Sequence, residues 1–305
     1  MIYDIIVVGG GPAGLTAALY ARRADKSVLV IEKATFGGQI TYSPKVENIP
    51  GFVACSGNEF AEKLVDQVLA QDAEVENAEV TEIRDGDVKT VVTDSGTFFG
   101  RAVIIATGAR HRLLGLPGEE ALIGNGISFC AVCDGAFYKD KVVGVVGGGN
   151  SALQEALLLA DLAKQVTVIQ NLDTLTGEQK LQEQLLAREN VDVLTGTVVD
   201  GLEGDGELTA VRLRRVADGG SFTLPLNGLF VAIGLVPQND AFAVVLPLDE
   251  RGYVSAGEDC LTGRAGIFTA GDCRTKKIRQ VTTAVADGAI AALAACDYVD
   301  LPEKD

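Results

Sequence analysis

Residues 5–14 read Ile5-Ile6-Val7-Val8-Gly9-Gly10-Gly11-Pro12-Ala13-Gly14, an apolar run that stops abruptly in a glycine-rich turn. Four branched residues in a row favour a buried strand, and Gly9, Gly11 and Gly14 permit a tight turn, close approach of phosphates and close helix packing. Leu15 to Arg23 then reads as a helix, and Val28 to Ile31 as a second strand ending in Glu32. Strand, G-x-G-x-x-G turn, helix, strand and acid in this order predict a βαβ dinucleotide-binding unit. Its turn amides and helix N-terminus meet a pyrophosphate, and Glu32 accepts from both ribose hydroxyls.

Outward from this unit, Phe60, Leu64, Val68 and Leu69 share one face of a helix running from about Glu59, with Ser56 and Asn58 as capping residues. Val75 to Ile83, Val88 to Val92 and Thr97 to Phe99, separated by Asp-Gly and Ser-Gly turns, predict a small antiparallel meander. Ala102 to Ala106 is a buried strand ending in Thr107-Gly108. The pattern then restarts. Val142 to Val146 is a strand, Gly147-Gly148-Gly149-Asn150-Ser151-Ala152 a second glycine turn, Leu153 to Ala163 an apolar helix and Val166 to Ile169 the next strand. Strands near 191–194, 198–202 and 208–213 give this repeat its own meander, and Leu229 to Ile233 echoes the buried strand of the first.

After Pro237 come Gly271-Asp272 and a final helix from about Gln280 to Cys296. The expected fold is α/β, with two Rossmann-like nucleotide-binding domains, one inserted in the other, each with a small antiparallel β-meander. Residues 1–112 and 243–305 form the discontinuous domain and 113–242 the inserted one. The Gly-Asp turn and a last helix rich in small residues favour FAD over NAD as the ligand of the first unit.

Composition agrees with this organisation: 305 residues suit two domains at roughly 150 residues each. Asp and Glu number 42 against 26 Lys and Arg, and the formal charge of -16 argues against a nucleic-acid partner. No uninterrupted apolar run approaches the roughly 20 residues that span a bilayer, so no membrane partner and a cytoplasmic location are expected. Six cysteines are present, of which Cys130 and Cys133 form a C-x-x-C pair. In a reducing compartment such a pair is catalytic or metal-binding more often than a staple. Zinc needs four ligands, and the chain has no second C-x-x-C or C-x-H, so no metal is expected. Cys55, Cys260, Cys273 and Cys296 read as packing residues, and His111, the only histidine, as a surface residue.

Cys130-Ala131-Val132-Cys133-Asp134-Gly135, together with GGGPAG from residue 9, Gly37-Gly38-Gln39-Ile40, Val46-Glu47-Asn48-Ile49-Pro50-Gly51, ATG at 106–108, Gly271-Asp272 and Arg279-Gln280, closely resembles the low-molecular-weight thioredoxin reductases, class II of the pyridine nucleotide-disulfide oxidoreductases. The resemblance spans almost the whole chain, with the motifs in the family's order. It implies an oxidoreductase holding FAD in the first domain and a redox-active disulfide in the second, acting on thioredoxin as a homodimer. Gly38, Gln39, Asn48, Asp272, Arg279, Gln280 and Val281 match the family's FAD-contacting positions. By the same pattern Cys130 attacks thioredoxin, Cys133 faces the flavin, and Asp134 shuttles a proton to the departing thiolate. A helix N-terminus at Gln280, reinforced by Arg279, would stabilise the negative charge of reduced flavin.

The sequence departs from the family at one place. NADPH-using members carry a basic cluster after the second strand of the inserted unit, whereas here the chain reads Ile169-Gln170-Asn171-Leu172-Asp173-Thr174-Leu175-Thr176, without a cation between Lys164 and Lys180. Charge-assisted hydrogen bonds contribute roughly 1.5 to 3 kcal/mol each, so losing two or three weakens NADPH by roughly two to four orders of magnitude. An acid for the ribose diol of NADH is missing too. Gly147, Gly149, Asn150 and Ser151 then form a vestigial nucleotide site. This resembles the ferredoxin-dependent flavin thioredoxin reductases, and Arg274, Lys276, Lys277 and Arg279 are the expected docking patch for an acidic ferredoxin. The alternatives are an ordinary NAD(P)H-dependent thioredoxin reductase and a non-enzymatic flavin/disulfide redox sensor.

Overall fold

A computed structural model describes residues 1–43 and 45–301 and divides the chain into two units: 1–110 with the chain from 236 on, and 111–235. The first unit runs β1 (Ile2–Val8), α1 (Pro12–Arg23), β2 (Val28–Glu32), α2 (Gly57–Leu69), β3 (Glu74–Asn77), β4 (Val80–Arg84), β5 (Lys89–Thr93) and β6 (Thr97–Ile105), and leaves along β7 (Ala109–His111). The second contains α3 (Glu119–Leu122), β8 (Ile127–Ser128), α4 (Ala131–Asp134), β9 (Val142–Val146), α5 (Asn150–Ala160), β10 (Gln165–Ile169), α6 (Gln179–Leu186) and β11 (Val191–Leu194). It ends with β12 (Thr197–Gly204), β13 (Leu208–Arg215), β14 (Ser221–Pro225) and β15 (Gly228–Val231). The chain returns along β16 (Leu235–Pro237), through β17 (Ile267–Thr269), to α7 (Val281–Asp300).

In the first unit the sheet order is β3-β2-β1-β6-β5-β4, with β17 also pairing to β6. Val7 of β1 lies between Val30 of β2 and Ile104 of β6, both in parallel register. The N-terminal run is apolar without alternation because both faces of these strands are covered. Ile5, Val7, Val28, Val30 and Ile104 pack with α1 and α7, while Ile6, Val8, Leu29, Ile31 and Ile105 pack with Ile83, Val91 and Phe242 on the other side. The stretch from Val75 to Ile83, expected as one meander strand, is divided instead. Its first part, β3, extends the parallel sheet beside β2, and β4, β5 and β6 make the antiparallel meander. Ala78, between the two, donates its N–H to the Glu32 carbonyl as the last bond of the parallel pairing.

The second unit repeats the plan: a parallel sheet in the order β11-β10-β9-β15-β8, and a separate antiparallel meander β12-β13-β14. Leu153, Ala156 and Leu159 of α5 pack on Val143, Val145, Val166 and Val168. The crossing strands β7 and β16 pair with each other. The return crossing falls at 235/236, ahead of the residue 243 expected from sequence. Asn239 and Phe242 belong to the first unit's core: Asn239 is fully buried, accepts from Thr107 Oγ1 at 3.0 Å and donates to the Cys273 carbonyl at 2.8 Å, and Phe242 is 2% exposed. By length and composition α7 is apolar enough to cross a membrane, but Ala284, Ala291, Ala292 and Ala295 are buried in the cluster that also contains α1.

Candidate active site

The first glycine turn has different reasons for each glycine. Gly9 adopts φ +111°, and a Cβ there would collide with the Ala106 carbonyl oxygen. A side chain at Gly14 would strike the Gly9 carbonyl, so its absence lets α1 start directly against the turn. Gly11 has an ordinary φ of -79°, and no heavy atom of the described residues lies within 4 Å of its would-be Cβ. Neither strain nor packing requires glycine at that position; what its absence of side chain leaves is open space. Pro12 occupies the first turn of α1 and no side chain caps the helix, so its N-terminal amides face that space. Gly38 closes on it, with its would-be Cβ 3.3 Å from the Gly11 Cα.

Glu32 stands at the end of β2, where its Oε2 accepts from Gly10 N–H at 2.7 Å and its Oε1 from Ala34 N–H at 2.9 Å. A carboxylate has about four acceptor positions, so two remain for a diol. Further along the same unit, the Gln39 side chain donates to the Ala109 carbonyl, Asn48 donates to Gln280 Oε1 at 3.2 Å, and Gly108, at φ +68°, borders open space. Gly271 adopts φ +80° with Ala13 2.8 Å from its would-be Cβ, which wedges the Gly271-Asp272 turn against α1. Asp272 Oδ1 is buried with no hydrogen-bond partner among the described residues. Burial pushes the Asp272 carboxyl up, opposed by Lys276 and Arg279. Arg279 donates to the Lys276 carbonyl at 2.9 Å and lies 4.4 Å over the Tyr253 ring. Gln280 caps α7 in a reciprocal box with Thr283, and Val281 packs on the Val46–Ile49–Phe60 cluster.

These groups fit an extended phosphate-bearing ligand. An open cradle faces a helix N-terminus, an acid keeps spare lone pairs, and a buried carboxylate oxygen waits for a donor.

In the second unit Cys130 and Cys133 form a disulfide with their Cα atoms 5.3 Å apart. Cys130 is the N-cap of α4, and its Sγ accepts from Cys133 N–H at 3.2 Å. A thiolate at a helix N-terminus is favoured, although four residues make only a weak dipole. Val132, between the cysteines, is 61% exposed, so a protein partner can approach the pair. Asp134 Oδ2 accepts from Ser128 Oγ at 2.6 Å, and Ser128 Oγ accepts from Cys130 N–H at 3.2 Å. The other oxygen, Oδ1, is buried without a partner among the described residues, and burial, only partly offset by Ser128, raises the Asp134 carboxyl. An acid in that state holds a proton more readily than an exposed one.

Ser128 and Glu155 are neighbours that sequence reasoning missed. Glu155 Oε2 is buried and unpartnered among the described residues, and burial followed by the charge of Asp134 pushes its carboxyl up to about 7. The signal available was a single acid in the apolar stretch from Leu153 to Ala160.

The second glycine turn keeps its shape. Gly147 adopts φ +132° against the Ala232 carbonyl, and the would-be Cβ of Gly149 meets only Thr176 Oγ1, at 3.9 Å. Its surroundings are polar or negative. Gln170, 4% exposed, donates to the Thr174 carbonyl at 3.2 Å. Asn150, first residue of α5, donates to the Glu178 carboxylate at 2.9 Å, while Ser151 is exposed.

Two expectations need correction. The basic cluster at 274–279 is not an open patch: Arg274 and Lys276 have side chains only 5% and 8% exposed and are paired with Asp287 at 2.8 and 2.9 Å, which leaves Lys277 as the exposed lysine. His111 is half-buried rather than fully on the surface, stacked on Phe129 with ring centroids 4.6 Å apart, and burial pushes it down to about 4. The four other cysteines are buried, as expected of packing residues.

The chain matches the pyridine nucleotide-disulphide oxidoreductase family over residues 3–288. A thioredoxin reductase of Listeria innocua is 44% identical over 301 residues, covering 98% of this chain and 94% of the relative. That of Treponema pallidum is 41% identical over 303 residues, 98% and 97% of the two chains. The crystal structure of thioredoxin reductase from Streptococcus pyogenes matches with a TM-score of 0.94 at 39% identity, covering 98% of each chain. Thioredoxin reductase from Giardia duodenalis matches with a TM-score of 0.91 at 32% identity, covering 98% of this chain and 99% of the other.

Proposed function

The chain belongs to the pyridine nucleotide-disulphide oxidoreductase family, and we propose that it is a thioredoxin reductase whose electron donor is a reduced ferredoxin rather than NADPH. It is an FAD-dependent disulfide reductase. In this reading the α1 N-terminus with Gly9, Gly11, Pro12, Ala13 and Gly14 holds the pyrophosphate, and Glu32 the adenosine ribose. Asp272 takes a hydroxyl of the ribityl chain on its free Oδ1. Gly38, Gln39, Asn48, Thr107, Gly108, Gly271, Arg279, Gln280 and Val281 line the rest of the flavin site.

Bound FAD supplies the two-electron exchange with the disulfide. The chain's own residues do the remainder. Reduced Cys130, as thiolate, attacks one sulfur of the thioredoxin disulfide and releases the other as a thiolate, leaving a mixed disulfide. Cys133 then attacks Cys130 Sγ, restores the Cys130–Cys133 bond and releases the second thioredoxin sulfur. Asp134, its carboxyl raised by burial and its Oδ2 fixed by Ser128, is the acid that hands a proton to the departing thiolate. The observation that carries this reading is the Cys130–Cys133 disulfide with the unpartnered Asp134 oxygen beside it. Cys130→Ser and Cys133→Ser should each abolish thioredoxin reduction while FAD stays bound, since one thiol cannot both attack and resolve. Wild-type turnover in either variant would refute the dithiol mechanism.

Support for the donor comes from the second turn. A 2′-phosphate beyond β10 would find Gln170, which donates to the Thr174 carbonyl, and the Glu178 carboxylate ahead of α6, bonded to Asn150 at the start of α5, with no cation between Lys164 and Lys180. The intact curve of Gly147 and the open face of Gly149 favour the second reading, a weakly held NAD(P)H. The protein works in the cytoplasm as a homodimer.

A further inference from the structure

Asp287, on α7, is 4% exposed, and its carboxylate accepts hydrogen bonds from three residues. Oδ1 accepts from Arg274 Nη2 at 2.8 Å. Oδ2 accepts from Arg274 Nε at 2.9 Å, from Lys276 Nζ at 2.9 Å and from the Gly271 N–H at 3.0 Å. One side chain thus grips three residues of the segment that presents Asp272. Arg279 rests on the same segment, donating to the carbonyls of Lys276 at 2.9 Å and Arg274 at 3.4 Å, and makes no ion pair among the described residues.

The charges are unequal: two buried cations share one carboxylate. Burial pushes Asp287 up, but Arg274 and Lys276 outweigh it and hold the group below the usual carboxylate range. All three charges reach the flavin-facing end of the segment, since Lys276, Asp287 and Arg274 each act on the buried Asp272.

We propose that Asp287 is a positioning residue for the flavin: by neutralising half of the charge of Arg274 and Lys276 beneath the Gly271-Asp272 turn, it sets the reduction potential of the FAD held there. The inference rests on the reading of this cleft as the flavin site. Reduced flavin carries negative charge, so a net gain of positive charge below it favours reduction and a net loss opposes it. A purely structural brace would not give shifts of opposite sign.

The test is the flavin midpoint potential of the FAD-loaded protein, measured anaerobically against a reference dye for wild type, Asp287→Asn, Lys276→Met and the double variant. Asp287→Asn should shift the reduction equilibrium about tenfold toward reduced flavin, roughly 30 mV for a two-electron couple. Lys276→Met should shift it in the opposite direction, and the double variant should lie between them. If Asp287→Asn fails to retain FAD, the downward shift in Lys276→Met carries the test alone, and its absence overturns the inference. Unmoved potentials, or shifts of the same sign in both single variants, overturn it while the flavin site stands. A wild-type chain that takes up no FAD overturns the cleft reading itself.

Discussion

Glu155 sits where water cannot reach its Oε2 and where Asp134 adds a like charge, so its carboxyl is raised from 4.5 to about 7. Between those values the folded chain binds more protons than the unfolded one, and stability therefore falls as pH rises through this window. The full loss, reached above about pH 7, is on the order of 3 kcal/mol. Glu155→Gln removes the ionisation. Urea unfolding should show the variant gaining on wild type steadily from pH 5 to pH 8, and a difference that does not change with pH would contradict the assignment. Burial raises the Asp134 carboxyl, with Oδ2 fixed by Ser128 and Oδ1 without a partner among the described residues. Asp134→Asn keeps the shape and removes the acid, so thioredoxin turnover should drop by roughly 10²- to 10⁴-fold with disulfide and FAD retained. Turnover within a factor of two of wild type would make Asp134 a turn residue only.

At the scale of elements, the contact of α1 with α7 connects the glycine turn to the helix that begins at Gln280. A Cβ at Gly288 would collide with the Ala13 carbonyl, inside the first turn of α1. Gly288→Ala therefore forces the helices apart, at a cost of about 1–3 kcal/mol. Thermal unfolding should report it, together with weaker FAD retention; an unchanged midpoint would mean that the crossing is looser than the geometry indicates. The βαβ units were legible because the apolar runs at 5–8 and 142–146, each followed by its glycine turn, write strand and turn locally in the chain. Val75 to Ile83 misled because alternation marks a strand without naming its partner: β3 joined β2 while β4 joined β5. The lysines and arginines at 274–279 misled for a related reason. Their neutralising partner, Asp287, is on the next helix and looks in sequence like one more charge on its face. Glu155 is the same case, since nothing local shows that Asp134 is near.

For the molecule as a whole, two nucleotide-binding units of one plan have diverged in chemistry. The first keeps an open cradle at Gly11, an acid at Glu32 and an Asp272 oxygen without a partner among the described residues; the second keeps the turn but surrounds it with Gln170, bonded to Thr174, and Glu178, bonded to Asn150. With a formal charge of -16 and only Lys277 exposed of the lysines near the Gly271-Asp272 turn, docking of an acidic ferredoxin would have to rest on another surface. The most direct test is an anaerobic titration of the enzyme-bound flavin, followed by its absorbance, with NADPH, NADH and reduced ferredoxin in parallel. Reduced ferredoxin should bleach the flavin far faster than either nucleotide at micromolar concentration. Rapid bleaching by micromolar NADPH, with no response to ferredoxin, would contradict the account.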